Sequence, residues 1–71
     1  MSVSESLGEA LPREIKRIVE EVMPAYIEIG SAGAFALAMM RHDLDKANKA
    51  MMSGDVVAMI RAYNELKGYK L

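Results

Sequence analysis

Apolar residues recur along this chain every three or four positions, the period of an α-helix, and nowhere alternate as in a half-buried β-strand. Hydrophobic residues make up 52% of the chain, and Ala, Met, Leu, Ile and Val at helical spacing supply most of them. The pattern therefore predicts an all-α protein. A chain of 71 residues is expected to form one domain with a small core.

Glycine, serine and proline divide the pattern into a predicted three-helix domain. Residues 1–10 lack apolar periodicity, so we expect a disordered lead followed by a single helical domain over residues 11–71. The first helix is expected to start near Pro12 and to kink at Pro24. Gly30 is expected to stop it, and Ser31 to cap the next helix. Its predicted buried face consists of Ile15, Ile18, Val19, Val22, Tyr26 and Ile29.

The second predicted helix ends near Met52, and the third runs to about Lys67, before Gly68. Gly54 suits a left-handed backbone after a helix, and Asp55 suits the N-cap of the next. Ser53-Gly54-Asp55 therefore predicts a turn that makes an antiparallel hairpin of these two helices. The predicted buried residues are Leu37, Met40, Leu44, Ala47 and Met51 in the second helix and Val56, Met59, Ile60, Tyr63 and Leu66 in the third.

The charged segment RHDLDK, residues 41–46, is the strongest candidate for chemistry. Arg41, Asp45 and Lys49 follow one another at four-residue spacing with alternating sign, as on an exposed helix face. His42 and Asp45 are three residues apart, but a metal site normally needs three or four ligands and the chain has a single histidine. We therefore expect no metal, no cofactor, no catalytic residues and no enzymatic activity.

Several apolar residues lie away from the predicted buried faces. Phe35 and Met39 share a helix face with His42, while Ile27 and Val57 lie off the buried faces of the first and third helices. Two alternatives are open: neighbouring helices bury Phe35 and Met39 within the monomer, or the two residues form an exposed surface. The candidate interaction surface therefore consists of Phe35, Met39, His42, Ile27 and Val57.

The composition favours a protein partner over nucleic acid or a membrane. A net charge of −1 provides no field for a phosphate backbone, and no apolar run or signal peptide indicates membrane insertion. A core this small usually needs a disulfide, a metal or a partner subunit for stability, and the chain has no cysteine. We therefore expect self-association, with a homodimer as the default assembly. Seven methionines suit an adaptable binding surface. We expect a cytoplasmic protein-interaction protein whose partner the sequence does not identify.

A weak DNA-binding module is a second alternative. Ala50 and Gly54 resemble the small residue and turn glycine of a helix-turn-helix. Ser53 and Asp55, however, stand where that motif has apolar residues, and the would-be recognition helix has only two basic residues. The composition therefore disfavours nucleic acid as a partner.

Two resemblances complete the sequence reading. The stretch ANKAMMSGDVVAMIRAYNELK resembles one helical hairpin of tetratricopeptide repeats, without a second copy. Through LPREIKR, MPAY, IGSAGAF and SGDVVAMIRAYNELK, residues 11–67 resemble small uncharacterised proteins of Gram-negative prophages and phages. The second resemblance carries no catalytic residues. It implies an alternative function, namely a phage-encoded inhibitor that binds a host defence or regulatory complex.

Overall fold

The computed structural model describes residues 6–70, and every regular element in that range is helical. The prediction of an all-α protein is confirmed. Helical residues run without interruption from Leu7 to Ser53, and a shorter helix spans Val56–Lys67. The described chain therefore has one long and one short helix, and the predicted count of three was wrong.

The long helix folds back on itself. A straight helix of its length would measure about 70 Å, whereas the longest axis of the molecule is 38 Å. Gly30 has φ 79° and ψ −139°, a conformation open to glycine, and it marks the reversal. We call residues 7–29 the N-terminal limb and Ala34–Ser53 the C-terminal limb. The full order is α-helix Leu7–Arg17, π turn Ile18–Val22, α-helix Met23–Ile29, 3-10 turn Gly30–Gly33 and α-helix Ala34–Ser53.

The GSAG segment turns the chain without leaving helical geometry, which explains the wrong helix count. Residues Gly30–Gly33 form a 3-10 turn, and Ser31 lies inside it rather than capping the next helix. Gly33 is buried so close to the preceding limb that a Cβ atom there would lie 2.4 Å from the carbonyl oxygen of Tyr26. The absence of a side chain at Gly33 therefore lets the two limbs meet.

The long helix begins at Leu7, earlier than the predicted start near Pro12. The Ser6 backbone N–H donates to Glu9 Oε1 at 3.2 Å, and the Ser6 hydroxyl donates to the same oxygen at 3.1 Å. Serine followed three residues later by glutamate is a helix-start signal that we missed. Residues 6–10 of the predicted disordered lead are thus an N-cap and helix, and residues 1–5 lie outside the described range.

Near Pro24, where we predicted a kink, the helix contains a π turn, Ile18–Val22, that ends two residues before the proline. The Met23 backbone N–H donates to the carbonyl of Ile18, five residues back. Proline has no N–H to donate and its ring crowds the preceding turn. A wider π turn at Ile18–Val22 accommodates both effects while the helix continues.

The core lies along a narrow seam between the two limbs and the short helix. Leu44 is buried, as predicted despite its charged neighbours. Four residues predicted to be buried are instead exposed: Val19, Ile29, Val56 and Ile60. A molecule whose shortest axis is 15 Å has no further layer to cover them. The buried cluster consists of Leu11, Ile18, Val22, Leu37, Met40, Leu44, Ala47, Ala62 and Leu66.

The turn between the helices has the predicted chemistry. Gly54 is left-handed at φ 69°, and Asp55 Oδ1 accepts a hydrogen bond from the Ala58 backbone N–H at 3.1 Å. The short helix then lies back along the C-terminal limb, where Lys46 Nζ is 3.0 Å from Glu65 Oε2. In place of a hairpin of two separate helices, the short helix packs against both limbs of a bent long helix.

Arg17 fastens the N-terminal limb to the end of the short helix. Its Nη2 donates to the carbonyl oxygens of Leu66 at 3.0 Å and Tyr69 at 2.9 Å. Its Nε donates to Glu14 Oε1, also at 3.0 Å, which pairs the buried carboxylate. The guanidinium thereby places a charged donor on carbonyls at and just beyond the C-terminus of the short helix, and the Leu66 carbonyl also accepts the Tyr69 backbone N–H at 3.1 Å.

By length and composition alone, the long helix is apolar enough to cross a membrane. Core helices of soluble proteins meet the same test when their apolar residues are buried, but only 17% of the qualifying window is buried here. The expected absence of a membrane segment therefore stays a prediction.

Candidate interaction surface

All five residues of the candidate interaction surface are exposed. The exposed fraction is 76% for Phe35, 45% for Met39, 57% for Ile27 and 60% for Val57, and His42 is exposed as well. Neighbouring helices do not bury Phe35 and Met39 in the monomer, so the first of the two alternatives drawn from the sequence does not apply.

The structure does not bring these five residues into one surface. Phe35, Met39 and His42 share one face of the C-terminal limb, close to the bend. Val57 is the second residue of the short helix, which follows the far end of that limb at Ser53, about 27 Å from Phe35 along the helix axis. Ile27 belongs to the N-terminal limb. We call Phe35, Met39 and His42 the bend surface.

The bend surface is exposed because the short helix is too short to reach it. Phe35, Met39 and Asp43 follow one another every fourth residue along one row of the limb. Asp43 Oδ2 accepts a hydrogen bond from the Tyr69 hydroxyl at 2.6 Å, just beyond the end of the short helix. The chain then crosses to the N-terminal limb, where the Tyr26 hydroxyl donates to the Lys70 carbonyl at 3.5 Å. Met39 and Phe35 continue the row past the last covering residue.

The pKa of Tyr69 is clearly displaced from its ordinary value. Burial, followed by its hydrogen bond to the Asp43 carboxylate and by the charges of Asp43 and Glu65, raises the pKa of the phenol well above its ordinary value of 10.0. Each of these causes penalises the phenolate. The effect belongs to a structural contact at the edge of the bend surface and assembles no catalytic group there.

Further exposed apolar residues escaped the sequence reasoning. Ile29 lies beside the bend, whereas Met52, Val56 and Ile60 flank the Gly54 turn at the opposite end of the limb. A helical wheel assigns residues to a face, but it does not show how far along the helix a covering neighbour extends. The position of Ile29 directly before a glycine turn was the available signal for exposure.

A groove of about 580 Å³ runs between the C-terminal limb and the short helix. Lys46, Lys49 and Arg61 are its cations, and Asp55 and Glu65 its carboxylates. We call it the cationic groove. The remaining lining residues are Ala50, Ser53, Val57, Ala58 and Ala62.

The three cations of the cationic groove differ in whether they form ion pairs. Lys46 pairs with Glu65 at 3.0 Å and Lys49 with Asp45 at 2.9 Å, both between partly exposed side chains. Exposed pairs of this kind contribute about 0–1 kcal/mol and exchange partners readily. Arg61 has no ion-pair or hydrogen-bond partner among residues 6–70. The groove therefore has one uncommitted cation and two weakly held ones.

No group of three or more metal-ligating side chains occurs among residues 6–70. His42 and Asp45 are exposed, and Asp45 holds Lys49 at 2.9 Å. Within the charged segment RHDLDK, Asp43 accepts a hydrogen bond from Tyr69 and Lys46 donates one to Glu65. Part of the segment therefore holds the short helix in place. The expected absence of a metal, a cofactor and a catalytic site stays a prediction.

Comparison with family models, curated proteins and solved structures finds no match to this chain.

Proposed function

We propose that this chain is a small cytoplasmic protein-interaction protein that self-associates. Its bend surface is the site that binds a protein partner. The observation that carries the proposal is the 76% exposure of Phe35, with Met39 exposed one turn later on the same face. Aromatic residues and methionine are enriched at protein interfaces relative to the rest of the surface. Fully burying such a side chain is worth about 1.5–3 kcal/mol.

The polar neighbours of the bend surface fit a binding role. His42 lies on the same face and would join the polar rim of an interface centred on Phe35 and Met39. The core is already filled without them, since neither residue belongs to the buried cluster. A partner therefore gains this apolar area without unfolding the monomer.

The test is the double substitution Phe35→Asp with Met39→Lys. We expect the circular dichroism to stay helical and partner capture from host lysate to be lost, because an interface excludes an unpaired buried charge. The matched control is Asn48→Asp with Asn64→Lys, which places the same charges on exposed helix positions elsewhere. Proteins captured by the wild type and by the control, but not by the double variant, define the partner.

Two outcomes would refute the proposal. Capture of the same partner by the double variant would exclude the bend surface. A molten or unfolded double variant, beside a folded control, would show that Phe35 and Met39 stabilise the monomer instead.

The phage-inhibitor alternative is a narrower form of this proposal, and the identity of the captured partner tests it. The DNA-binding alternative gains no support from the described residues. The cations of the short helix are Arg61 and Lys67, and Lys67 Nζ lies 5.6 Å from the centre of the Tyr63 ring. Two cations on the would-be recognition helix are too few to neutralise several phosphates.

A further inference from the structure

The charges of this chain are segregated in a way that points to contact between copies. Residues 18–40 contain three glutamates and no lysine or arginine, whereas residues 41–71 contain six lysines and arginines against four carboxylates. The acidic part lies mostly on the N-terminal limb, and the basic part supplies the cationic groove. Oppositely charged surfaces on one molecule allow two copies to attract each other.

The acidic part of the N-terminal limb carries a row of apolar residues. Val19, Met23 and Ile27 follow one another every fourth residue; Val19 is 49% exposed and Ile27 57%, while Met23 between them is partly buried against the core. Glu20 and Glu28 are exposed beside this row, and neither has an ion-pair or hydrogen-bond partner among residues 6–70. We call Val19, Met23, Ile27, Glu20 and Glu28 the acidic row.

The cationic groove carries the complementary charge, with three cations against two carboxylates in its lining. Its walls are two helices, and Val57 at its edge is exposed. Its floor includes Ala50 and Ala62, whose small side chains leave room for another helix to approach. Lys49 and Arg61 stand at its rim, so a helix lying in the groove meets cations beside an apolar surface. An apolar row flanked by glutamates satisfies both features.

We propose that two copies form a symmetric dimer in which the acidic row of each lies in the cationic groove of the other. Two-fold symmetry makes the contact reciprocal. Each copy contributes one row and one groove, so the dimer contains two identical contacts between a row and a groove. The inference deepens the self-association in the proposed function and rests on it. It also gives Ile27 and Val57, which the bend surface leaves out, a shared place at the dimer contact.

The test uses two charge-reversed variants. The groove variant is Lys49→Glu with Arg61→Glu, and the row variant is Glu20→Lys with Glu28→Lys. Each alone sets like charges against each other, and we expect its dimer dissociation constant, from light scattering over a concentration series, to rise at least tenfold. An equimolar mixture pairs each reversed surface with its complement, and we expect it to regain the mass of a dimer.

The control is Arg41→Glu with Lys67→Glu, which changes the net charge as much as the groove variant at exposed positions outside the groove. We expect its dissociation constant to match that of the wild type. Circular dichroism of every variant establishes that the fold is kept.

Three results would overturn the inference: a wild type that is monomeric throughout the series, a variant that dimerises like the wild type, or a mixture that stays monomeric. These results are separable from the test of partner binding, since the charge-reversed variants leave Phe35 and Met39 intact. Partner capture by a monomeric groove variant would leave the bend surface standing as a binding site.

Discussion

The burial of Leu44 could be predicted from the spacing of the apolar residues around it in the sequence. It stands between Asp43 and Asp45, yet its exposed fraction is 9% and it belongs to the buried cluster. Helical spacing from Leu37 and Met40 outweighs the polarity of the adjacent residues, because a helix turns adjacent residues to different faces.

Leu44→Ala should therefore lower the free energy of unfolding by about 2–5 kcal/mol, since it removes buried methyl groups and leaves a cavity. A chain of this size has a total stability of about 5 kcal/mol, so much of the variant would be unfolded at moderate urea concentrations. The control is His42→Ala, exposed two residues away, for which a change within about 0.5 kcal/mol is expected. Equal urea midpoints for the two variants would contradict the placement of Leu44.

Tyr69 couples the stability of the molecule to alkaline pH. Burial and the Asp43 hydrogen bond raise the pKa of the phenol above the value of 10.0 that it has in an unfolded chain. The folded state therefore keeps this proton more firmly than the unfolded state does. Stability from Tyr69 is fully present below pH 10 and is lost as pH rises towards the raised pKa.

Between pH 9 and pH 11.5, the wild type should lose stability more steeply than Tyr69→Phe. Phenylalanine lacks the titrating hydroxyl, whereas Tyr26, Tyr63 and the lysines are common to both proteins and cancel in the comparison. Urea unfolding followed by circular dichroism at several pH values measures the difference. Parallel curves would show that the phenol of Tyr69 titrates alike in both states.

At the scale of elements, the reversal of the long helix depends on two glycines with different roles. Gly30 has the positive φ that changes the direction of the chain. Gly33 is needed for space, because the Tyr26 carbonyl occupies the place where its side chain would be. The sequence marks both residues as punctuation, but only the folded chain distinguishes a backbone role from a packing role.

Gly33→Ala should destabilise the protein by about 1–3 kcal/mol, since a Cβ atom 2.4 Å from the Tyr26 carbonyl oxygen forces the limbs apart. Gly8→Ala is the matched control. Its Cβ would meet nothing closer than 3.7 Å, and alanine favours the helix by about 0.5–1 kcal/mol. Thermal unfolding of both variants should therefore show shifts of opposite sign, and a stabilising Gly33→Ala would contradict the close approach.

At the scale of the whole molecule, the monomer leaves many large apolar side chains exposed to solvent. The narrow seam between limbs and short helix leaves Val19, Ile27, Phe35 and Val57 outside the core. Burying part of this surface between copies would add to a stability that is otherwise marginal. Unfolding should then be coupled to dissociation.

The melting temperature of the wild type should consequently rise with protein concentration, by about 4–5 °C for each tenfold increase, because mass action favours the folded dimer. The groove variant should show no such rise over the same range, since its unfolding releases no partner. Scanning calorimetry at three concentrations measures both. A wild-type melting temperature independent of concentration would contradict folding coupled to association.

The sequence by itself determined the helical class, the chemistry of the Gly54–Asp55 turn and the buried face of the C-terminal limb. These features are local, since period, cap and left-handed glycine each depend on residues within a few positions. The S-x-x-E start at Ser6 was equally local and was open to prediction.

Only the tertiary structure decided that the first two predicted helices are one bent helix, and that Val19, Ile29, Val56 and Ile60 are exposed. The same applies to the bend surface, whose exposure follows from where the short helix ends and where Tyr69 meets Asp43. Periodicity shows which side of a helix is apolar. Whether that side is covered depends on the length and direction of its neighbours, which distant parts of the chain settle together.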